Sequence, residues 1–167
     1  MPNARTHDAA GVWMAIPATA VGYWWAGYAG VSLFCGGHLL TTFLLSPDLD
    51  HTAGSYAYRR WWCLRWIWYP YCRLVAHGSW LSHWPLIGTA FRVAYLVGIV
   101  AALATLAWLG CLLLQQTGVG VSTAWYDWRP VVSWSRAYRS EARVLLGGLE
   151  FGAAVHYVLD WATTNVD

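Results

Sequence analysis

Between Ala9 and Pro47 the chain runs for 39 residues without one Asp, Glu, Lys or Arg. A helix that crosses the hydrocarbon core of a bilayer needs about 20 predominantly apolar residues, so this stretch is long enough for two crossings. The composition agrees, with 58% of residues in the hydrophobic set, 11% charged and 14 Trp, and an integral membrane protein is the expected class. Gly27-Tyr28-Ala29-Gly30 offers a turn that divides a helix over 11–26 from one over 31–45. A third span is expected over 93–114 and a fourth, less apolar, over 144–161. The expected fold is therefore all-α: a single membrane domain over 1–167 with about four transmembrane helices, and loops at 46–92 and 115–143.

The first loop carries Tyr58-Arg59-Arg60-Trp61-Trp62-Cys63-Leu64-Arg65-Trp66-Ile67-Trp68-Tyr69, and this mixture of Arg with Trp and Tyr belongs at a membrane interface. It reads as an interfacial or re-entrant segment, with a pocket for lipid, quinone or pigment as the sharper alternative. The ten arginines sit beside aromatics at the ends of spans, where headgroup anchoring is expected for most of them, and a net charge of +2 is too small for a phosphate-backbone binder. No nucleic-acid partner is expected; membrane lipid is. Cys35, Cys63, Cys72 and Cys111 have no C-x-x-C spacing, so a thiolate metal site or disulfide framework is not expected. His7 and Asp8 fall where a cleavable signal peptide would have a simple basic-then-apolar start, so none is read there.

Polar groups are not scattered along this chain. Four of the six Asp and five of the six His fall in four short segments at the edges of the apolar stretches: His7-Asp8, Asp48-Leu49-Asp50-His51, His77 to His83, and His156 to Asp160. His156 and Asp160 are four apart and share one helical face, so together they can grip one ion. Pro47 favours a non-helical start for Asp48-x-Asp50, which lets the two carboxylates splay around one ion or divide between two. His7, Asp8, Asp48, Asp50, His77, His83, His156 and Asp160 are the candidate metal ligands or their immediate partners, with His51 in a supporting position. Nitrogen and oxygen donors without sulfur suit Zn, Mn or Fe, one or two ions, better than an all-oxygen Ca site. His38, inside the second span, is expected to be hydrogen-bonded rather than coordinated, and Glu150 should face the protein interior and find a partner.

An even number of crossings brings the four segments to one membrane face. Spans one and two return the chain to the side on which it starts; span three leaves it and span four comes back with His156 and Asp160 in its last turns. Six arginines fall on that side and four on the other, which makes the site's face the cytoplasmic one of a bacterial inner, or thylakoid-type, membrane.

Leu45-Ser46-Pro47-Asp48-Leu49-Asp50, Arg65-Trp66-Ile67-Trp68-Tyr69-Pro70-Tyr71, and His77-Gly78-Ser79-Trp80-Leu81-Ser82-His83 followed by Pro85 and Gly88-Thr89 resemble a bacterial family, common in cyanobacteria, of uncharacterised metal-binding proteins. That family is distantly similar to inner-membrane metal-dependent hydrolases with a Pro-Asp-x-Asp-His and a His-Arg-Gly-x-Thr-His-Ser element. The resemblance implies a membrane-embedded metal protein and, by analogy, hydrolysis of an ester or phosphoester at the interface. One departure stands against the analogy: His77-Gly78-Ser79 replaces the family's usual His-Arg-Ser, and Gly supplies none of the forked hydrogen bonding with which Arg holds a phosphate or carboxylate. The alternative is a non-catalytic, metal-stapled accessory subunit of a larger membrane complex. Metal transport is less expected, because only His38 and Glu150 place polar groups mid-span.

Overall fold

The computed structural model describes residues 4–51 and 55–164, and no strand occurs among them. The chain divides into two compact units, 1–92 with 140–167, and 93–139.

The larger unit is built on a helical hairpin. Helix α1 (Ala4–Gly30) breaks at Ala26, with φ −148°, and Gly27, with φ +61°. A positive φ of that size is costly for any residue with a Cβ, which is why the reversal sits on a glycine. A π-helical turn (Val31–Cys35) and helix α2 (Gly36–Phe43) then run back along α1. The two limbs touch through small residues: a Cβ on Gly22 would lie 2.5 Å from the Gly30 carbonyl oxygen, and one on Gly11 would collide with Thr42. Close backbone approach through small residues is the usual way apolar helices pair where no hydrophobic effect drives them together. The reversal was expected at 27–30 and falls at 26–27.

A second long helix, spanning Arg139–Thr164, lies against the returning limb. Its Gly148 meets the Phe34 backbone so closely that a Cβ would collide with the carbonyl oxygen. Thr41 Oγ1 donates to the Leu149 carbonyl at 2.8 Å, and Ala18, Phe34 and Val144 form the buried core, with Val21, Leu33 and Phe151 packed around it.

The segment expected as an open loop is mostly short helical turns: a 3-10 turn at Pro47–Asp50, helix α3 (Tyr56–Arg60), a 3-10 stretch at Trp62–Trp68, and helices α4 (Tyr69–Leu74) and α5 (Trp80–His83). The aromatic run is two-sided. Trp68 and Tyr71 are fully buried, whereas Trp62 and Trp66 are exposed.

Helix α6 (Ile87–Gln116) starts six residues before the expected position near 93. The cause is Arg92, which overturns the anchoring expected of it: it is buried, with its guanidinium donating to the Ser82 carbonyl at 2.8 Å, to Thr89 Oγ1 at 3.3 Å and to Tyr157 Oη at 3.4 Å. The first turns of the helix can therefore lie inside the protein. Glu150 also finds the partner expected of it, accepting from the Leu86 backbone N–H at 2.9 Å just ahead of this helix.

The smaller unit holds the rest of α6 and helix α7 (Arg129–Ala137), and not one of its residues is buried. Three segments of the chain are long and apolar enough to cross a membrane: Ala4–Asp50, which contains the hairpin, Ile87–Gln116, and Arg139–Thr163 in the final helix, α8.

Candidate metal centre

Four separate parts of the larger unit deliver polar side chains to one place. The first turns of α1 bring His7, the turn after α2 brings Asp48 and Asp50, the segment around α5 brings His77 and His83, and the last turns of α8 bring His156 and Asp160. Ser46 sets the second of these. Its side chain accepts from the Asp48 backbone N–H at 3.4 Å, and Pro47 occupies the first position of the turn, where its missing N–H is harmless.

Seven of the eight candidate ligands fall into three overlapping triads, each with donor atoms within 4.8 Å of one another: His7, His156 and Asp160; Asp48, His83 and His156; and Asp50, His77 and His83. His156 Nε2 is the pivot, 3.3 Å from Asp48 Oδ1 and 3.1 Å from Asp160 Oδ2, and His7 Nε2 lies 3.2 Å from Asp160 Oδ1. The imidazoles form a run of neighbours, His7 on His156 at 4.0 Å between ring centroids, His156 to His83 at 6.0 Å, His83 to His77 at 5.4 Å and His77 to His51 at 4.9 Å.

Asp8 is placed elsewhere. Its carboxylate pairs with the Arg60 guanidinium, which also reaches the Thr42 and Phe43 carbonyls at the end of α2, at 3.5 and 3.4 Å. A cation there satisfies carbonyls that a helix end leaves open. Arg60 and its role could not be found from sequence, because nothing local separates it from its neighbour Arg59.

The tautomers follow from chemistry. An ionised carboxylate only accepts, so His77 Nδ1 must be the donor in its 2.7 Å contact with Asp50 Oδ1. Ser82, which is fully buried, gives its hydroxyl proton to the Ser79 carbonyl at 3.1 Å and therefore accepts from His83 Nδ1 at 2.9 Å, with Asp50 Oδ2 at 3.4 Å from the same nitrogen. The Gly78 backbone N–H donates to Asp50 Oδ2 at 3.1 Å. His83 Nε2 is consequently a bare lone pair. It is buried without a hydrogen-bond partner, whereas His156 Nε2 is buried between the Asp48 and Asp160 carboxylates.

Buried polar atoms without partners are rare in folded proteins and call for an explanation. Lone pairs converging with a carboxylate, in a sulfur-free set, fit a divalent cation of the Zn, Mn or Fe kind. Cys72 shows why sulfur stays out: its thiol donates to the Leu49 carbonyl at 2.9 Å, and burial pushes its pKa up to about 11, so it does not offer a thiolate. Burial likewise pushes the neighbouring Tyr71 phenol up to about 12.

His38 stands apart from the cluster. It is fully buried in the hairpin, its Nε2 lies 2.7 Å from the Gly11 carbonyl oxygen, and its ring meets Phe151 edge-on at 5.3 Å.

The family model described as "Uncharacterized metal-binding protein (DUF2227)" matches residues 2–167, and the chain belongs to that family. A protein of Aquifex aeolicus (strain VF5), described as an uncharacterized protein, is 40% identical over 60 residues, which cover 36% of this chain and 41% of the relative. The chain thus matches less than half of that relative's length. No solved structure matches.

Proposed function

We propose that this is an integral membrane protein whose metal centre hydrolyses an ester or phosphoester at the membrane interface. The observation that carries the metal half of this reading is the convergence of two buried imidazoles with carboxylates: His83 Nε2, which has no hydrogen-bond partner, and His156 Nε2, set between Asp48 and Asp160. A divalent ion held there supplies Lewis acidity and a water activated near neutral pH. Asp48 has about a third of its side chain exposed, as does His77, so the cluster is not sealed from solvent and a substrate can reach it. A carboxylate at that edge can take a proton from attacking water if it is left uncoordinated.

The membrane half rests on α6, whose 30 residues reach about 45 Å at 1.5 Å per residue, enough to cross a hydrocarbon core of about 30 Å. Its apolar side chains beyond Arg92 are unburied, which suits lipid and not water. The hairpin, α6 and α8 then make four crossings, with the metal-binding ends of the hairpin and α8 on one face.

A second reading is favoured by Gly78, at φ +71° and without a side chain where the family resemblance leads one to expect Arg. Arg60, a guanidinium close to the cluster, is engaged by Asp8. On this reading the ion staples helix ends in an accessory subunit. Phosphoester and ester panels presented in mixed micelles to the protein purified with its metal separate the two. Turnover that disappears in Asp48→Ala supports hydrolysis; a protein that keeps its metal and turns over nothing supports the staple.

A further inference from the structure

The three triads cannot all be occupied, because they share members. His156 Nε2 belongs both to the triad with Asp48 and His83 and to the one with His7 and Asp160, and one nitrogen lone pair binds one ion. Ligands at about 2.1 Å from an ion lie no more than about 4.2 Å apart, so the seven donors also cannot gather on one ion without rearrangement. What remains is one ion in a single triad, or two ions in the outer triads with the central one empty.

We infer that the chain holds a single ion in the central triad, on Asp48, His83 Nε2 and His156 Nε2, and that Asp50 is a positioning carboxylate and not a ligand. The inference rests on the metal-binding reading above and adds to it the division of labour among the candidate residues.

Three observations select the central triad. Its His83 Nε2 is buried with no hydrogen-bond partner, and its His156 Nε2 lies 3.3 Å from Asp48 Oδ1, so two imidazole nitrogens and a carboxylate meet there. Asp50, which the outer triad of His77 and His83 would need, is fully buried with both oxygens already accepting: Oδ1 from His77 Nδ1–H, Oδ2 from the Gly78 N–H and, more distantly, His83 Nδ1–H. In the other outer triad His7 Nε2 already faces Asp160 Oδ1 at 3.2 Å, so that imidazole and carboxylate are set against each other. Metal-bound histidines commonly give their second ring N–H to a carboxylate, which fixes the tautomer and ring orientation. Asp50 lies on the Nδ1 side of His83, 3.4 Å away beside the 2.9 Å bond to Ser82, and its bonds to His77 and the Gly78 N–H hold the segment that presents His83 Nε2 to the ion.

The test uses full-length protein in mild detergent, loaded with Zn²⁺ and desalted. Elemental analysis should return one zinc per chain, and X-ray absorption fine structure should fit two imidazoles per zinc. Asp50→Asn should keep one zinc at saturation with a 10- to 100-fold weaker affinity, and Asp50→Glu should recover part of it. Two zinc ions per chain, or loss of one of two in Asp50→Asn, would overturn the inference while leaving the metal-binding reading intact. Unchanged affinity in a folded Asp50→Asn protein would overturn the positioning role. Should that variant fail to fold, the wild-type zinc count still decides between one ion and two. A folded wild type that takes up no zinc would sink the metal-binding reading itself.

Discussion

Two buried regions of the larger unit use histidine on helices in opposite ways. In the middle of the hairpin, His38 is enclosed by apolar neighbours and answers its burial with a single hydrogen bond across to Gly11. At the helix ends, His83 and His156 are surrounded by carboxylates and other imidazoles instead of a single backbone acceptor. The same side chain is structural where one acceptor meets it and a candidate ligand where several donors meet each other. What separates the two is the company that the chain brings from distant segments, since His38 and Gly11 are 27 residues apart while His156 and Asp48 are 108 apart.

The largest expected effect breaks the cluster alone. Asp48→Ala removes the only carboxylate of the central triad, and retained zinc after desalting should fall to background while the helical circular dichroism stays at the wild-type level. The reciprocal change, His38→Ala, should leave zinc content untouched. It strips the Gly11 carbonyl of its partner and opens a gap, a loss of about 1–3 kcal/mol that denaturant titration in detergent reads directly. Gly27→Ala, at the hairpin reversal, forces a Cβ into a left-handed conformation and should cost about 1–2 kcal/mol, again with full metal content. The smallest effect is chemical. Cys72 has its thiol raised to about 11, so its reactive thiolate is scarce at pH 8 and maleimide labelling should climb about tenfold per pH unit toward pH 11, whereas exposed Cys63 labels first.

Much of this contrast is legible in the sequence. The uncharged run of 39 residues and its central glycine place the reversal within a residue, and the clustering of Asp and His at the edges of the apolar stretches picks out the four segments whose side chains form the triads. His38 stands alone mid-span, and a lone polar group between apolar neighbours reads as a hydrogen-bonded one. What stays hidden is set by long-range contacts. Arg92 looks like any arginine beside an apolar run, and only Ser82, Thr89 and Tyr157 turn it inward and move the start of α6. Asp8 sits beside His7 in the chain, yet Arg60, 52 residues away, draws its carboxylate out of the triads. Asp50 and Asp48 look equivalent in Asp-x-Asp; the backbone N–H of Gly78 and the Nδ1 atoms of two histidines distinguish them. Gly78 itself reads in sequence as a missing arginine, and in the fold it is a left-handed turn that aims a backbone donor at the cluster.

The central claim is that the helix-end histidines, and not the mid-hairpin one, hold a transition-metal ion. Elemental analysis of His156→Ala and His38→Ala proteins, purified side by side and desalted after zinc loading, tests it most directly. The account predicts wild-type zinc in His38→Ala and none in His156→Ala, with both proteins folded. Zinc retained in His156→Ala, or lost in His38→Ala, would contradict it.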